Sequence, residues 1–514
     1  MDRWKSLPVV CKGGLDLYNE VLTKGTTLMG VANQLQNYEP SVEGGYQRIL
    51  GYTKWDSSVV PGDTNNPVLA VKPALGGVFA VRKTAGGDNA LYFSNGGGWT
   101  GPLNSTSRTG SVTKARIISY SIVDEAVIVT DGLNPALKYD GSSDTLINGT
   151  GAPVAPSYAE EWKSRIALAP ATSSASAFVI SAPDTDDDFN GSNGAEEFNV
   201  SDVIVGLKRF RDILYIFCEN SIYKLTGNTS ADFAIEPVTK SIGCIGHDTI
   251  QEVGGDLIFL STDGFRSIAA TERIGDVELG LLSKLIQPLV RPVIEQAGSY
   301  NFSSTVVRSK SQYRLFYYNS DIAATDQRGF LGRYEVRDQN GPSYSWATLF
   351  GIPAYCCESA YVDNDELVVF GHPTTGYVYR MERTNSFDTG NISFSYRTPY
   401  FLFDELESRK VVFKIKIYGR TAGVYQMYLN TLLDFGSENI IQPPAVLLTG
   451  DGGVTVYGNA VYGTDVYTVT GEINIDQALV GSGIAIAFQF ADTNDEAPHR
   501  IDSFVIEYST KGRR

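Results

Sequence analysis

The sequence predicts an all-β protein, with a β-propeller through the middle of the chain and an additional C-terminal antiparallel β domain. Charged residues make up only 19% of it, against 52 glycines, 29 tyrosines and 24 phenylalanines. Such a composition suits short strands joined by tight turns rather than helices. From Val68 to Met381 one kind of segment keeps returning: an apolar β run, a small turn with Gly, Asp or Asn, and a second β run ending near an aromatic. After about Asn391 the segments lengthen and alternate. At 514 residues the chain is long for one ordinary domain, and these changes of texture divide it at 1–60, 61–390 and 391–514.

The first unit, 1–60, reads as docking strands or a hairpin. Its core is Asn33–Tyr52, NQLQNYEPSVEGGYQRILGY. Pro40 cannot donate to a ladder and Gly44–Gly45 allow positive φ, so a tight connection leads into the β run Tyr46–Leu50. In the middle unit, Gly77–Arg82 leads through Gly86–Asn89 to Leu91–Ser94, and Ala126–Thr130 turns at Asp131–Gly132 toward Leu137–Tyr139. Ile213–Cys218 returns as Ser221–Leu225, and Leu257–Ser261 as Phe265–Ala269. Tyr313–Tyr318 precedes Phe330–Val336, and Leu367–Phe370 precedes Tyr377–Met381. These hairpins recur at about the ~40–50 residues of propeller blades. They are too divergent for a WD40 or kelch assignment; a stacked sandwich of hairpins is the competing arrangement.

Little helix is predicted. Ser283–Gln296 has helical spacing, but Pro288 and Pro292 predict two short turns rather than one rod. Beyond Asn391, Val411–Tyr418 alternates, residues 452–469 are rich in glycine and tyrosine, and Ile484–Phe490 and Ile501–Tyr508 are β in pattern. Together they read as a sandwich-like domain. The terminal Lys-Gly-Arg-Arg reads as a solvated basic tail.

The net charge of −16 argues against tight nucleic-acid binding, which needs Lys and Arg on phosphates. It is compatible with a conduit that passes a polyanion without holding it. The five cysteines form no CxxC, and no secretion signal is read in Met1–Lys12, so reduced buried thiols are expected. No apolar run approaches membrane-spanning length.

Chemistry finds few footholds. The three histidines, His247, His372 and His499, lack metal spacing and read as core or surface residues. No P-loop, nucleophile elbow or dinucleotide fingerprint occurs. The Ser-x-Asp-x-Gly-x-x-Trp turn of sialidase blades fits neither Ser261–Gly264 nor Ser94–Trp99. An enzyme is therefore not expected. One local pattern fits a Ca²⁺ loop: Asp186, Asp188 and Asn190 at alternate positions, Gly191 at the turn, and Glu197 as the closing carboxylate. The flanks are not helical, and a solvated acidic loop between blades is the competing reading. Tyr457, Tyr462 and Tyr467 read as core or interface aromatics.

Asn37-Tyr-Glu-Pro40, Glu43-Gly-Gly-Tyr-Gln-Arg-Ile49 and Gly51-Tyr52 together resemble the N-terminal stretch of the tail nozzle or hub family of short-tailed phages. That family is also called tail tubular protein B or packaged-DNA stabilisation protein. Gln47 stands where the pattern has its first arginine. Ile258–Ile268 resembles a hairpin of the family's propeller, and the Gly-Arg-Arg end resembles that of hub relatives. The resemblance implies a virion structural protein of the tail, assembled in the host cytoplasm. Six copies would form a ring below the head-to-tail adaptor, meet tail fibre or spike proteins, and retain and then pass genomic DNA. A glycan-binding or glycan-hydrolysing propeller on a virion spike, acting as a monomer, is the alternative; a solenoid-like adhesin is a weaker one.

Overall fold

The computed structural model describes residues 4–23, 30–268, 281–338, 341–403, 408–451 and 471–510. The glycine–tyrosine run at 452–469, with its three tyrosines, and the Gly-Arg-Arg end lie outside them. The chain is all-β, as its turn-rich composition predicts.

Seven small antiparallel sheets follow one another from Val68 to Met381. Their first strands are Val68–Ala74, Arg116–Ser121, Tyr158–Glu161, Ile204–Phe210, Gln251–Val253, Asn301–Val307 and Cys356–Val362. Each first strand packs against that of the next sheet, the fifth partly through the turn at His247–Thr249. The seventh packs against the first, so the array closes into a seven-bladed propeller. Six blades correspond to the hairpins read from sequence. The third, Tyr158–Asn199, is the additional one; its strands are only four residues long.

Closure is made by the N-terminal segment. Tyr52–Lys54 is the outermost strand of blade seven, pairing with Val378–Met381 in the register Tyr52↔Met381. Tyr52 fills the blade between Phe370, Tyr379 and Phe387, with ring centroids 4.9–5.0 Å away.

The C-terminal body is two sheets face to face. One contains Gly471–Gly483, Lys410–Thr421, His499–Thr510, Tyr46–Arg48 and Tyr38–Pro40, with Lys5–Val10 also against His499–Thr510. The alternation read at Val411–Tyr418 becomes the buried positions Val412, Ile415 and Ile417. The other sheet is continuous with blade six: Gln34–Gln36 lies between Gly341–Phe350 and Ile392–Arg397, and Ile486–Asn494 follows. Phe488 and Phe490 meet Phe504 across the layers at 6.3 and 6.0 Å. One hydrophobic core runs from this body into blades five, six and seven.

Residues 1–60 therefore form no unit of their own: their strands complete sheets on both sides of the molecule. Pro40 sits at a sheet edge, where its missing N–H leaves no gap. Gly45 (φ 78°) lies where a Cβ would stand 2.6 Å from the carbonyl oxygen of Ile501. The two short turns expected at Ser283–Gln296 are instead a 3₁₀ turn, Lys284–Ile286, running into a nine-residue α-helix, Gln287–Glu295. Pro288 occupies the first turn, which needs no N–H, and burial of Val290 and Val293 holds the helix through Pro292.

Candidate functional site

The propeller axis gathers charges that lie far apart in the chain. Lys72, Glu160, Lys208 and Glu358 come from the first strands of blades one, three, four and seven; Lys114 and Arg116 stand at the start of blade two's. Asp248 comes from the turn before blade five. The four cations and three carboxylates surround a cavity of about 80 Å³. That is room for a few waters among the charges.

Each carboxylate there faces a cation. Asp248 meets Arg116 at 2.7 Å and Lys114 at 3.1 Å, Glu160 meets Lys208 at 3.6 Å, and Glu358 meets Lys72 at 3.6 Å. Burial raises the pKa of Asp248, but Arg116 and Lys114 outweigh it and hold the carboxyl below its usual range. Burial also pushes His247 down to about 3. The axis is an ion-paired plug. In the sequence these groups lie far apart with no shared pattern, and only alignment of the blades reveals their convergence.

The second concentration of buried polar groups is the joint built by Asn37–Tyr52. Asn37 (φ 51°) donates through Nδ2 to the carbonyls of Phe350 (2.8 Å) and Ser393 (2.7 Å), tying blade six to the sandwich. The Tyr38 hydroxyl is 2.6 Å from His499 Nε2. Tyr46 donates to the Gly30 carbonyl at 2.8 Å. Arg48, fully buried, donates to the carbonyls of Asn494, Asn385 and Glu496 and lies over the Phe394 ring. Glu39 pairs with Lys310 (2.5 Å) and Arg314 (3.2 Å), cations that Glu382 shares from the end of blade seven. A polar pocket of about 300 Å³ opens beside this network, where Arg500 bridges Glu43 and Asp502.

The Ca²⁺ pattern is not brought together. Asp186 is buried and turns toward blade two, accepting from the Tyr120 hydroxyl at 2.9 Å and pairing with Lys138 at 2.7 Å. Asp188 accepts from the Asn190 backbone (2.9 Å) and the Asn193 amide (2.6 Å), and Asn190 caps the turn Gly191–Asn193. Glu197 lies in the strand Glu196–Asn199 and accepts from Ser173. A strand in place of the loop's closing turn separates the fourth oxygen from the others. Among the described residues no three His, Cys, Asp or Glu form a metal-holding group.

The three histidines lie apart: His372 and His499 are buried, and His247 lines the axial cavity. Burial lowers His499 to about 3, with Arg48 adding to it, and His372 to about 4. The cysteines are free and buried, and burial pushes Cys11, Cys218, Cys244 and Cys356 up to about 12.

No protein-family profile matches the chain, and no curated protein does. Among solved structures it is similar to the extracellular domain of a hybrid two-component system protein from B. thetaiotaomicron, at 9% identity and TM-score 0.39. It is also similar to PorZ of Porphyromonas gingivalis, at 11% identity and TM-score 0.34. These alignments cover 68% and 66% of this chain but span only 44% and 42% of those proteins. An exo-β-1,3-galactanase from Phanerochaete chrysosporium aligns over 90% of this chain and 100% of its own, at 9% identity and TM-score 0.24. Likenesses of this size carry no argument about activity.

Proposed function

We propose that this propeller-type protein is a virion structural protein, the nozzle or hub of a short-tailed phage tail. Six copies form a ring below the head-to-tail adaptor, meet fibre or spike proteins, and line the passage through which packaged DNA is retained and released. The observation that carries the reading is the joint: within the stretch that carries the resemblance to that family, Asn37 and Glu39 bond blade six and Arg48 bonds the segment after blade seven, while Tyr38 and Tyr46 anchor the stretch to His499 and Gly30. A part that transmits force along a tail needs its two bodies fixed to each other. In this reading the DNA path runs between copies, which the ion-paired propeller axis supports.

We assign it no catalysis. Glycoside hydrolysis needs a carboxyl kept protonated near neutral pH, whereas the cations around Asp248 act in the opposite sense. Negative-stain imaging of the protein mixed with adaptor-capped heads tests the proposal. Sixfold rings extending the tail are expected; single asymmetric particles that leave the heads unextended would overturn it in favour of the monomeric spike.

A further inference from the structure

Two surface features lie outside the axis and the joint. The first is a groove of about 600 Å³ between the helix Gln287–Glu295, blade six and the N-terminal segment. Leu289, Pro292, Tyr317 and Phe330 give it an apolar lining, and Arg328 and Arg397 also face it. Arg397 Nε is buried with no hydrogen-bond partner among the described residues. Asp326 faces it too, so two cations against one acid leave the lining net positive, and an open apolar lining of this size is unusual on a surface without a partner.

The second is the loop Asp434–Gln442 of the C-terminal body. It carries Phe435, 54% exposed, and Ile441, 94% exposed, with the exposed acid Glu438 between them. Asp434, Phe435 and Gly436 all have left-handed φ, at 49°, 63° and 67°. A non-glycine pair in that region costs free energy and persists only where its surroundings over-determine it. Here they do. The Asp434 carboxylate accepts from the Ile484 and Ala485 backbone N–H groups at 2.6 and 3.1 Å, and Gln442 bonds both the N–H and the carbonyl of Leu433. The loop is thus fixed in advance, Phe435 with one side on the Tyr400 ring at 4.6 Å and its remainder, like Ile441, open to water, which lowers the ordering cost of docking.

We propose that the loop Asp434–Gln442 of one copy seats in the groove of a second copy, Phe435 and Ile441 against the apolar lining and Glu438 toward Arg328 and Arg397. Shape class and charge match: an acidic apolar projection meets a basic apolar cleft. The groove lining includes no residue of the loop. One copy can therefore fill its neighbour's groove while its own is filled by a third, the head-to-tail contact from which rings close. This inference rests on the proposed ring subunit and names the surfaces that build it.

The test is sedimentation velocity on the whole chain, using two variants. The double variant Phe435→Asn with Ile441→Ser removes the projection, Asn tolerating the left-handed backbone; Leu289→Glu puts an acid in the groove. All three positions are solvent-exposed, and thermal melting equal to wild type establishes that each variant is folded. Wild type is expected to self-associate, each variant alone to weaken that at least about tenfold, and a mixture of the two to form dimers through the one remaining good pair of surfaces. Variants that associate like wild type, or a mixture that stays monomeric, would overturn the docking while leaving the ring free to form by another face. A wild type that stops at a loop-dependent dimer would uphold the docking and sink the sixfold ring. A wild type monomeric at every soluble concentration overturns the docking, and the adaptor experiment then judges the ring separately.

Discussion

His499 has to stay uncharged. Its Nε2 is 2.6 Å from the Tyr38 hydroxyl in a fully buried site, with Arg48 near enough to disfavour a second positive charge. Its folded pKa, about 3, is below the ordinary 6.5. Below pH 6.5 the unfolded chain therefore takes up a proton that the folded chain refuses. The stability is intact above 6.5 and falls as the pH drops toward 3, by about 1.4 kcal/mol for each unit of depression. Melting of His499→Gln should depend less on pH between 6.5 and 4.5 than melting of wild type; parallel curves would refute the assignment. Asp186 gives a contrasting case, a carboxylate held by Lys138 and Tyr120 rather than by a metal. Asp186→Ala should cost roughly 3 kcal/mol by leaving Lys138 without its partner. A Ca²⁺ chelator should leave the wild-type melting temperature unchanged; a chelator-dependent drop would restore the metal.

Strands with local partners were legible in the sequence, and those with distant partners were not. Ile213–Cys218 pairs with Ile222–Thr226 across a short turn, so periodicity and turn residues sufficed to find it. Gln34–Gln36 pairs with Ile392–Arg397 and with Gly341–Phe350, and no local pattern encodes such partners. The same stretch consequently read as a separate docking hairpin. Blade three escaped because Ile166–Ala169 and Ala177–Ile180 are very short, and because the acidic residues after them suggested a metal loop. The axial plug was invisible for a related reason: each blade contributes only one or two charges. From the sequence, removal of Met1–Pro40 is expected to leave a folded β protein that no longer docks. The structure reverses that expectation, since the deletion takes Lys5–Val10, Gln34–Gln36 and Tyr38–Pro40 from four pairings and Glu39 from the cations Lys310 and Arg314. The truncated chain should be insoluble or lack a cooperative melting transition. A sharp transition near that of wild type would show that these strands are dispensable.

At the scale of the assembly, charge decides. With −16 per chain, a ring of six would carry about −96 before counterions, and screening leaves this effective only within ~8–10 Å of the wall. DNA in a close-fitting passage lies inside that distance. In the proposed ring an acidic wall would keep adhesion low, and retention would come from steric constriction rather than from phosphate-binding lysines. Purified protein should show no appreciable DNA affinity at physiological salt. Submicromolar binding with a steep negative salt slope would mean several Lys or Arg contacts to phosphate, and the repelling conduit would have to be abandoned.

The pairing of Lys5–Val10 with His499–Thr510, with Lys5 opposite Tyr508, also sets a clock on biosynthesis. Every residue up to this partner strand has to leave the ribosome before the two meet, and Tyr46–Arg48 waits for the same one. Throughout translation the early strands present open edges, a standing invitation to pair with a neighbouring nascent chain. Polysomes packed with this message are where it is most exposed to misassembly, and its demand for chaperones should peak before Thr510 has emerged rather than after it.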